Sequence, residues 1–279
     1  MLTIDFHTHN FPAKLAPRAI EVMYSKLVAC GQGALKPFGD GTLDTQLKDM
    51  DRARIDLSVA CPIATAPEHF EPILKRADKI RSSAEGAAAA ERIVQLVSVH
   101  PKDPDFAARL KKVAAEGFRG IKLHPNYQGI RLDDPDLVPF FAAARDEGLF
   151  VMSHCGWDPG YVNTHLIAGP DEIAALLTAV PGLVFVAAHL GGEYDAAPRA
   201  TDKLLDFPNL YIDTAVMYNR MDAEEPRRII REWPAERILF GTDYFWADQS
   251  RYLDWVRECR KNDSDLEKIL HLNAEKLLF

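Results

Sequence analysis

Two histidines two residues apart close the first apolar run of the chain, Leu2-Thr-Ile-Asp-Phe-His7-Thr-His9. Side chains alternate faces along a strand, so His7 and His9 point the same way, and two imidazoles at one strand end can reach one metal ion. The pair alone says little, because an H-x-H also arises by chance or as packed polar residues. Its weight comes from three later apolar runs that end in a group able to bind metal or move a proton: Leu149-Phe-Val-Met-Ser-His154, Leu183-Val-Phe-Val-Ala-Ala-His189 and Arg237-Ile-Leu-Phe-Gly-Thr-Asp243. A fourth run, Phe118-Arg-Gly-Ile-Lys-Leu-His124, puts Lys122 and His124 on one parity and the apolar Ile121 and Leu123 on the other. Asp5 shares the parity of His7 and His9. It is expected either to orient an imidazole or to be a buried carboxylate bonded to backbone.

If these runs are parallel strands, their carboxyl ends lie at one rim. His7, His9, His154 and Asp243 then converge on one divalent ion, and three nitrogens with one carboxylate leave room for water, the mark of a catalytic site. Such an ion lowers the pKa of water from roughly 15.7 to about 7, and Asp243 can take the proton while ligating. His189 is followed by Gly191-Gly192, which leave its ring uncovered, so it is expected to be the second acid or base. The catalytic pair is thus His189 and Asp243. Asn126, Tyr127, Trp157 and Trp246 follow strand ends and are expected to line a substrate pocket. His124 reads as a substrate contact, an extra ligand or a packed residue, and His100 as a rim residue. Lys122 can meet a substrate carboxylate as a cation. Arg131 is a candidate clamp for an acidic substrate; Arg119 has outward parity. Cys155, beside His154, is a remote candidate nucleophile without an oxyanion partner pattern. His69, His165 and His271 read as surface or packing residues.

The elements that must place these groups can be read from periodicity. Candidate strands fall near 2–6, 55–61, 93–99, 118–123, 149–154, 183–188, 209–214 and 237–242, with helical apolar spacing between most of them, as in Phe106, Leu110 and Val113 or Ile173, Leu177 and Val180. Alternating strands and helices with right-handed crossovers give a parallel sheet that closes as a single (β/α)8 TIM barrel, an α/β fold spanning 1–279. The 279 residues and 47% hydrophobic content suit one such barrel. Residues 10–42, rich in Pro and Gly, read as an extended first βα loop over the rim, either a lid or a surface excursion. The alanine-rich stretch 84–90 is expected to end a long helix, and 250–262 and 265–278 to form extra C-terminal helices.

Composition narrows the function. A net charge of −8 without a basic run argues against nucleic acid and leaves a small-molecule substrate. Cysteines at 30, 61, 155 and 259 form no C-x-x-C and suggest neither a thiolate zinc site nor a disulfide framework, which suits a cytoplasmic protein. The chain enters a strand at once and has no run of eighteen uncharged apolar residues, so neither a leader nor a membrane span is expected. The sequence is compatible with a homodimer.

The motifs Asp5-Phe-His7-Thr-His9, Gly120-Ile-Lys-Leu-His-Pro125, His154-Cys-Gly156, Ala188-His189-Leu-Gly-Gly192, Phe240-Gly-Thr-Asp243 and Asn273-Ala-Glu-Lys-Leu277 together resemble the amidohydrolase superfamily. The resemblance is closer to its single-domain "amidohydrolase 2" branch, related to aminocarboxymuconate semialdehyde decarboxylase. It implies a metal-dependent barrel, usually with zinc, in which His7, His9, His154 and Asp243 are ligands and His189 is the catalytic histidine. Some superfamily members carry a carbamylated strand-four lysine bridging two metals. Lys122 lies two residues short of that strand's end, which favours one ion. The branch holds both hydrolases and decarboxylases. The expected activity is metal-dependent hydrolysis of a lactone, ester or amide, with non-oxidative decarboxylation of an unsaturated or aromatic acid as the alternative, and a metal-binding barrel without turnover as a third reading.

Overall fold

The computed structural model describes residues 1–161, 167–192, 197–216 and 218–279. Eight short strands alternate with helices: β1 Ile4–Thr8, β2 Leu57–Ala60, β3 Ile93–Gln95, β4 Gly120–Leu123, β5 Phe150–Ser153, β6 Phe185–Ala187, β7 Leu210–Asp213 and β8 Ile238–Leu239. All ladders are parallel, in one sheet of β1-β2-β3 and another running from β4 to β8. Two seams join these sheets. Past β3, Val97 bridges Ile121, and the Lys122 N–H donates to the Val97 carbonyl at 2.9 Å. Past β8, Tyr244 bridges Thr8, and the Asp243 N–H donates to the His7 carbonyl at 2.8 Å. The ring is closed, as a (β/α)8 barrel requires.

Each strand is buried on two sides, which is why the runs read as continuous apolar stretches. Ile4, Phe6, Val59, Phe150, Met152, Val186 and Leu239 fill the barrel, and Ala274 and Leu278 of the last helix pack beneath them. On the outer side Ile121, Val151, Phe185 and Ile212 belong to the layer shared with the helices. Lys122 is in register with Met152, and Met152 with Val186, so the lysine faces the barrel interior.

A bulge in β1 decides where the first site residues point. Asp5 pairs with Ser58 and Thr8 with Ala60, three steps against two, and the extra residue resets the alternation of faces. Phe6 fills the barrel, yet His7 also reaches its mouth. Asp5 is thereby separated from the imidazole rings. It accepts from Thr242 Oγ1 at 2.6 Å and Gln249 Nε2 at 2.7 Å, and burial pushes its carboxyl up to about 7 against the pull of these bonds. It is the structural carboxylate, and no ring nitrogen bonds it.

Two expectations about helices need correction. The segment 10–42 contains helix α1, Ala16–Ala29, followed by α2, Leu43–Ala53. The alanine-rich stretch does not end the preceding helix: α3, Phe70–Arg81, stops before it, and Ala87–Arg92 forms a separate α4. Gly86, at φ 106°, takes a backbone that a continuing helix cannot, and breaks the run. The carboxyl end carries the expected helices as Gln249–Cys259, Asp263–Glu267, a π turn at Lys268–Leu272, and Asn273–Leu278. Among the described residues no helix is long and apolar enough to cross a membrane.

Gly120 of β4 leaves no room for a side chain against β5, where an added Cβ would meet the Phe150 ring at 2.4 Å. Gly120→Ala is therefore expected to lower stability by about 1–3 kcal/mol, read as a drop in the denaturation midpoint. An unchanged midpoint would mean that the Phe150 ring can move aside freely.

Candidate metal centre

The ends of β1, β5, β6, β7 and β8 supply the site. The His7 Nδ1–H donates to Asp213 Oδ2 at 2.8 Å. Asp213 Oδ1 in turn accepts the backbone N–H of His189 at 2.8 Å and of Ala215 at 3.1 Å. Burial pushes the Asp213 carboxyl up, while His189, Lys122 and the two backbone donors pull it down. The His9 Nδ1–H donates to the Cys61 carbonyl at 2.8 Å, and the His189 Nδ1–H donates to the Ala215 carbonyl. A carbonyl only accepts, so these bonds assign the tautomers. His189 Nε2 then accepts from His154 Nδ1 at 2.8 Å, which leaves His154 Nε2 buried with a lone pair and no partner.

His9 Nε2 lies 3.1 Å and His7 Nε2 3.6 Å from Asp243 Oδ1. His7 Nε2, His9 Nε2 and Asp243 Oδ1 thus converge on one point, an arrangement that positive charge, a proton or a metal ion, holds together. Lys122 Nζ stands beside the group, 3.4 Å from His7 Nε2. Burial, then Lys122, holds His7 well below the usual imidazole range; burial, then His124, does the same for His154. Both rings are neutral and free to ligate at neutral pH. Burial alone would raise the Asp243 carboxyl, but His7, His9 and His189 outweigh it and bring it down to about 2. Imidazole nitrogens with a carboxylate oxygen suit zinc or another first-row divalent ion. The residues fit the metal that the sequence expects.

His7, His9 and Asp243 form the compact group. His154 stands beyond His189, with centroids 5.3 Å apart for His7 and His189 and 4.5 Å for His189 and His154. The four expected ligands therefore do not meet at one point here, because His154 is drawn into other contacts. It stacks on His124 at 4.1 Å and 7°, and His124 stacks on Tyr127 at 3.8 Å and 10°. His124 Nε2 also approaches Asp158 Oδ2 at 3.3 Å. Lone pairs of stacked rings lie in two parallel planes that do not meet, so His124 and His154 are not aimed at one ion in this arrangement, although Asp158 is near both. Lys26 of α1 sits over the rings of Tyr127 and Tyr161, at 5.5 and 5.1 Å, and ties α1 to the stack.

Backbone strain marks the same residues. His189, Leu190 and Asp243 hold φ of 59°, 52° and 60°, a region that costs a side-chain-bearing residue about 1–2 kcal/mol. Gly192 continues the turn after His189, and a Cβ there would come within 2.8 Å of the Gly156 nitrogen. The glycines let the loops after β5 and β6 touch.

Above the site lies a cavity of about 1140 Å³. His124, Lys122, Trp157 and Trp246 line it, and α1 contributes Val22, Met23 and Leu27. Tyr127, on the turn Pro125–Gln128, lines it as expected, and Asn126 does not reach the wall. Arg131 pairs with Asp133 at 3.0 Å and Glu172 at 3.2 Å, Arg119 bonds the Phe279 carbonyl, and neither lines the cavity. Cys155 is buried, and burial pushes its thiol far up, which argues against a nucleophile. His100 accepts from the Lys102 N–H and stays off the cavity wall, His69 pairs with Thr65 and His271 with Glu275, while His165 lies outside the described residues. Sequence reasoning missed Asp213 and Asp158. Asp213 was legible, since it ends Leu210-Tyr-Ile-Asp213 as the other groups end their runs; nothing marked Asp158.

The amidohydrolase family model matches residues 4–279. The chain belongs to this family. No curated protein sequence matches it. Among solved structures, this amidohydrolase resembles 2,6-dihydroxybenzoate decarboxylase from Rhizobium, at 18% identity and TM-score 0.70 over 99% of this chain and 98% of that one. It also resembles 5-carboxyvanillate decarboxylase from Novosphingobium aromaticivorans complexed with manganese, at 17% identity and TM-score 0.64 over 99% and 95%. A third is a probable 2-pyrone-4,6-dicarboxylic acid hydrolase from Acinetobacter baumannii, at 16% identity and TM-score 0.63 over 99% of both chains. These likenesses establish the fold.

Asp213 holds the His7 ring in its ligating tautomer. Asp213→Ala is expected to weaken binding of a divalent ion 10–100-fold, measured by competition with a chelator, and an unaltered affinity would exclude that role.

Proposed function

We propose that this amidohydrolase is a metal-dependent, non-oxidative decarboxylase of a small aromatic or unsaturated acid. The charge of the cavity carries this reading. Asp158, Asp243 and Asp248 are the carboxylates among its described lining residues, against more than twice as many lysines and arginines, in a chain of net charge −8. A cationic pocket in an acidic protein selects anions. A neutral lactone gains nothing from it, so the order that the sequence suggests is reversed. The likeness to two decarboxylases of aromatic acids supports the same reading. Hydrolysis of an acidic lactone is the second reading, favoured by the proton-free Asp243 carboxylate and by the likeness to the pyrone dicarboxylic acid hydrolase.

His7, His9 and Asp243, joined by His154 through its unpartnered Nε2, would hold one divalent ion. Zinc is the expectation from sequence, and the manganese of the carboxyvanillate enzyme makes manganese its rival. The ion, when bound, polarises a substrate oxygen and stabilises developing negative charge. Asp213 and the Cys61 carbonyl keep Nε2 of His7 and His9 free for it. Lys122, buried beside His7 and lining the cavity, steadies the anionic substrate. Phe11, Phe245 and Trp246 give the cavity an apolar wall against which a planar acid can lie. Decarboxylation breaks the carbon–carboxylate bond, carbon dioxide leaves, and the electron pair stays on carbon. We assign the proton that carbon then needs to His189, which lines the cavity and takes it up from solvent at Nε2 before each turnover.

His154→Ala and Asp243→Asn are expected to lose metal and turnover while the barrel stays folded. His189→Ala should keep its metal and lose about 10²–10⁴ in rate. Metal content measured beside carbon dioxide release from a panel including 2,6-dihydroxybenzoate checks both. Full turnover in a ligand variant would end the assignment, and acid release from lactones without carbon dioxide from any acid would move it to the second reading.

A further inference from the structure

The cavity over the metal centre is larger and more aliphatic than a one-ring acid needs. Its volume of about 1140 Å³ exceeds the roughly 300–1,000 Å³ in which drug-sized ligands are buried. One side of it is built of hydrocarbon: Val22 and Met23 of α1, Leu35 and Phe38 from the segment between α1 and α2, Ile63 just after β2, and Ile73 of α3. Part of this wall stands in water. Leu15, Val22 and Phe38, which all line the cavity, are 59%, 41% and 42% exposed. Apart from the terminal Met1 and Phe279, the other exposed large hydrophobics among the described residues are Val28, Leu205 and Leu272, so such exposure is concentrated at the cavity. Exposed apolar surface gathered at a pocket marks a place where something binds.

Hydrogen bonds fix this wall to the metal centre. The His9 N–H donates to the Tyr244 carbonyl, and the next carbonyl, of Phe245, accepts the N–H groups of Phe38 at 2.9 Å and Gly39 at 3.0 Å. Ile63 comes two residues after Cys61, whose carbonyl holds the His9 ring at 2.8 Å. Lys26 ties α1 to the ring column that ends on His154. A ligand with its carboxylate at the ion and its ring against Phe11, Phe245 and Trp246 therefore has the aliphatic wall as its next neighbour. A ring alone leaves that wall wet. A hydrocarbon chain covers it, at a gain of roughly two- to fourfold in affinity per buried methylene. The apolar residues surround a hollow rather than a flat face, which a chain of carbons fills and a folded partner would only bridge.

We infer that the substrate is an amphiphilic aromatic acid, whose carboxylate lies at the metal centre and whose ring carries a hydrocarbon chain packed against α1, Phe38 and Ile73. This rests on the decarboxylase reading and narrows it, since the site then selects chain length as well as charge.

The full-length protein loaded with zinc or manganese is titrated calorimetrically with 2,6-dihydroxybenzoate and with its 3-hexyl and 4-hexyl derivatives, and carbon dioxide release is followed on all three. At least one hexyl acid is expected to bind one per chain, to displace the parent acid, and to exceed its affinity about tenfold or more. Val22→Asn combined with Phe38→Ser should cut that advantage below about threefold while metal content and affinity for the parent acid hold. Both side chains stand partly in water, so the fold should survive their exchange. If the double variant melts well below the wild type, Val22→Asn alone decides: a reduced advantage sustains the inference and an undiminished one overturns it. Equal affinity of the wild type for the three acids overturns it, as does a hexyl acid that binds without displacing the parent or an advantage that survives both substitutions. A wild-type dimer that the double variant dissociates, with no hexyl advantage, gives the face to a second copy of the chain instead. Turnover of the parent acid without a chain preference removes this inference alone, whereas chain-dependent binding without carbon dioxide from any of the three removes the decarboxylase reading, and the acid's standing as substrate with it.

Discussion

One buried carboxylate organises the mouth of this barrel. Asp213, at the end of β7, bonds the His7 ring from β1 with one oxygen and the His189 and Ala215 amides with the other. Three strand ends and two imidazoles are thereby referred to one rigid group. The consequence is electronic as well as geometric. With Nδ1 of His7 committed to Asp213 and Nδ1 of His9 to a carbonyl, both Nε2 atoms turn inward, while Nε2 of His189 is turned to His154. That shared direction, set against the Asp243 carboxylate, creates a demand for positive charge at the centre.

The surroundings keep the demand from being relaxed. His189 and Asp243 sit in left-handed backbone that the adjoining hydrogen bonds over-determine, and the glycine contact between the loops after β5 and β6 closes the space on one side. On the other side a column of stacked rings runs from Tyr127 through His124 to His154, with Lys26 of α1 capping it. The added helix of the first βα connection is thus part of the cavity wall and is coupled to a proposed ligand through aromatic faces.

Charge divides the molecule into an acidic exterior and a cation-lined interior. The contrast is large enough to make the identity of the substrate partly an electrostatic question. Lys122 in the barrel is paired with no carboxylate of the described residues, whereas Arg131, which sequence alone nominates, spends its donors on Asp133 and Glu172 at the surface. A charged residue near a site in sequence says nothing about whether its partner is already inside the chain.

The sequence by itself determined the eight strands, their parallel order and the titratable residue at the end of each chemically important run, because burial on both faces and strand–helix alternation are local patterns written in residue type. It could also have yielded Asp213 by the same rule. What it could not show was the outcome of long-range packing. The β1 bulge turned Asp5 away from the histidines that simple alternation had grouped it with, and a stack on His124 drew His154 aside. Of the neighbours Asn126 and Tyr127, one helical turn brings only the tyrosine to the cavity wall. Tautomers, orphaned ring nitrogens and cavity charge arise only when residues hundreds of positions apart are brought within hydrogen-bond distance, so the tertiary structure alone decided which groups compete for each proton and which are left for a ligand.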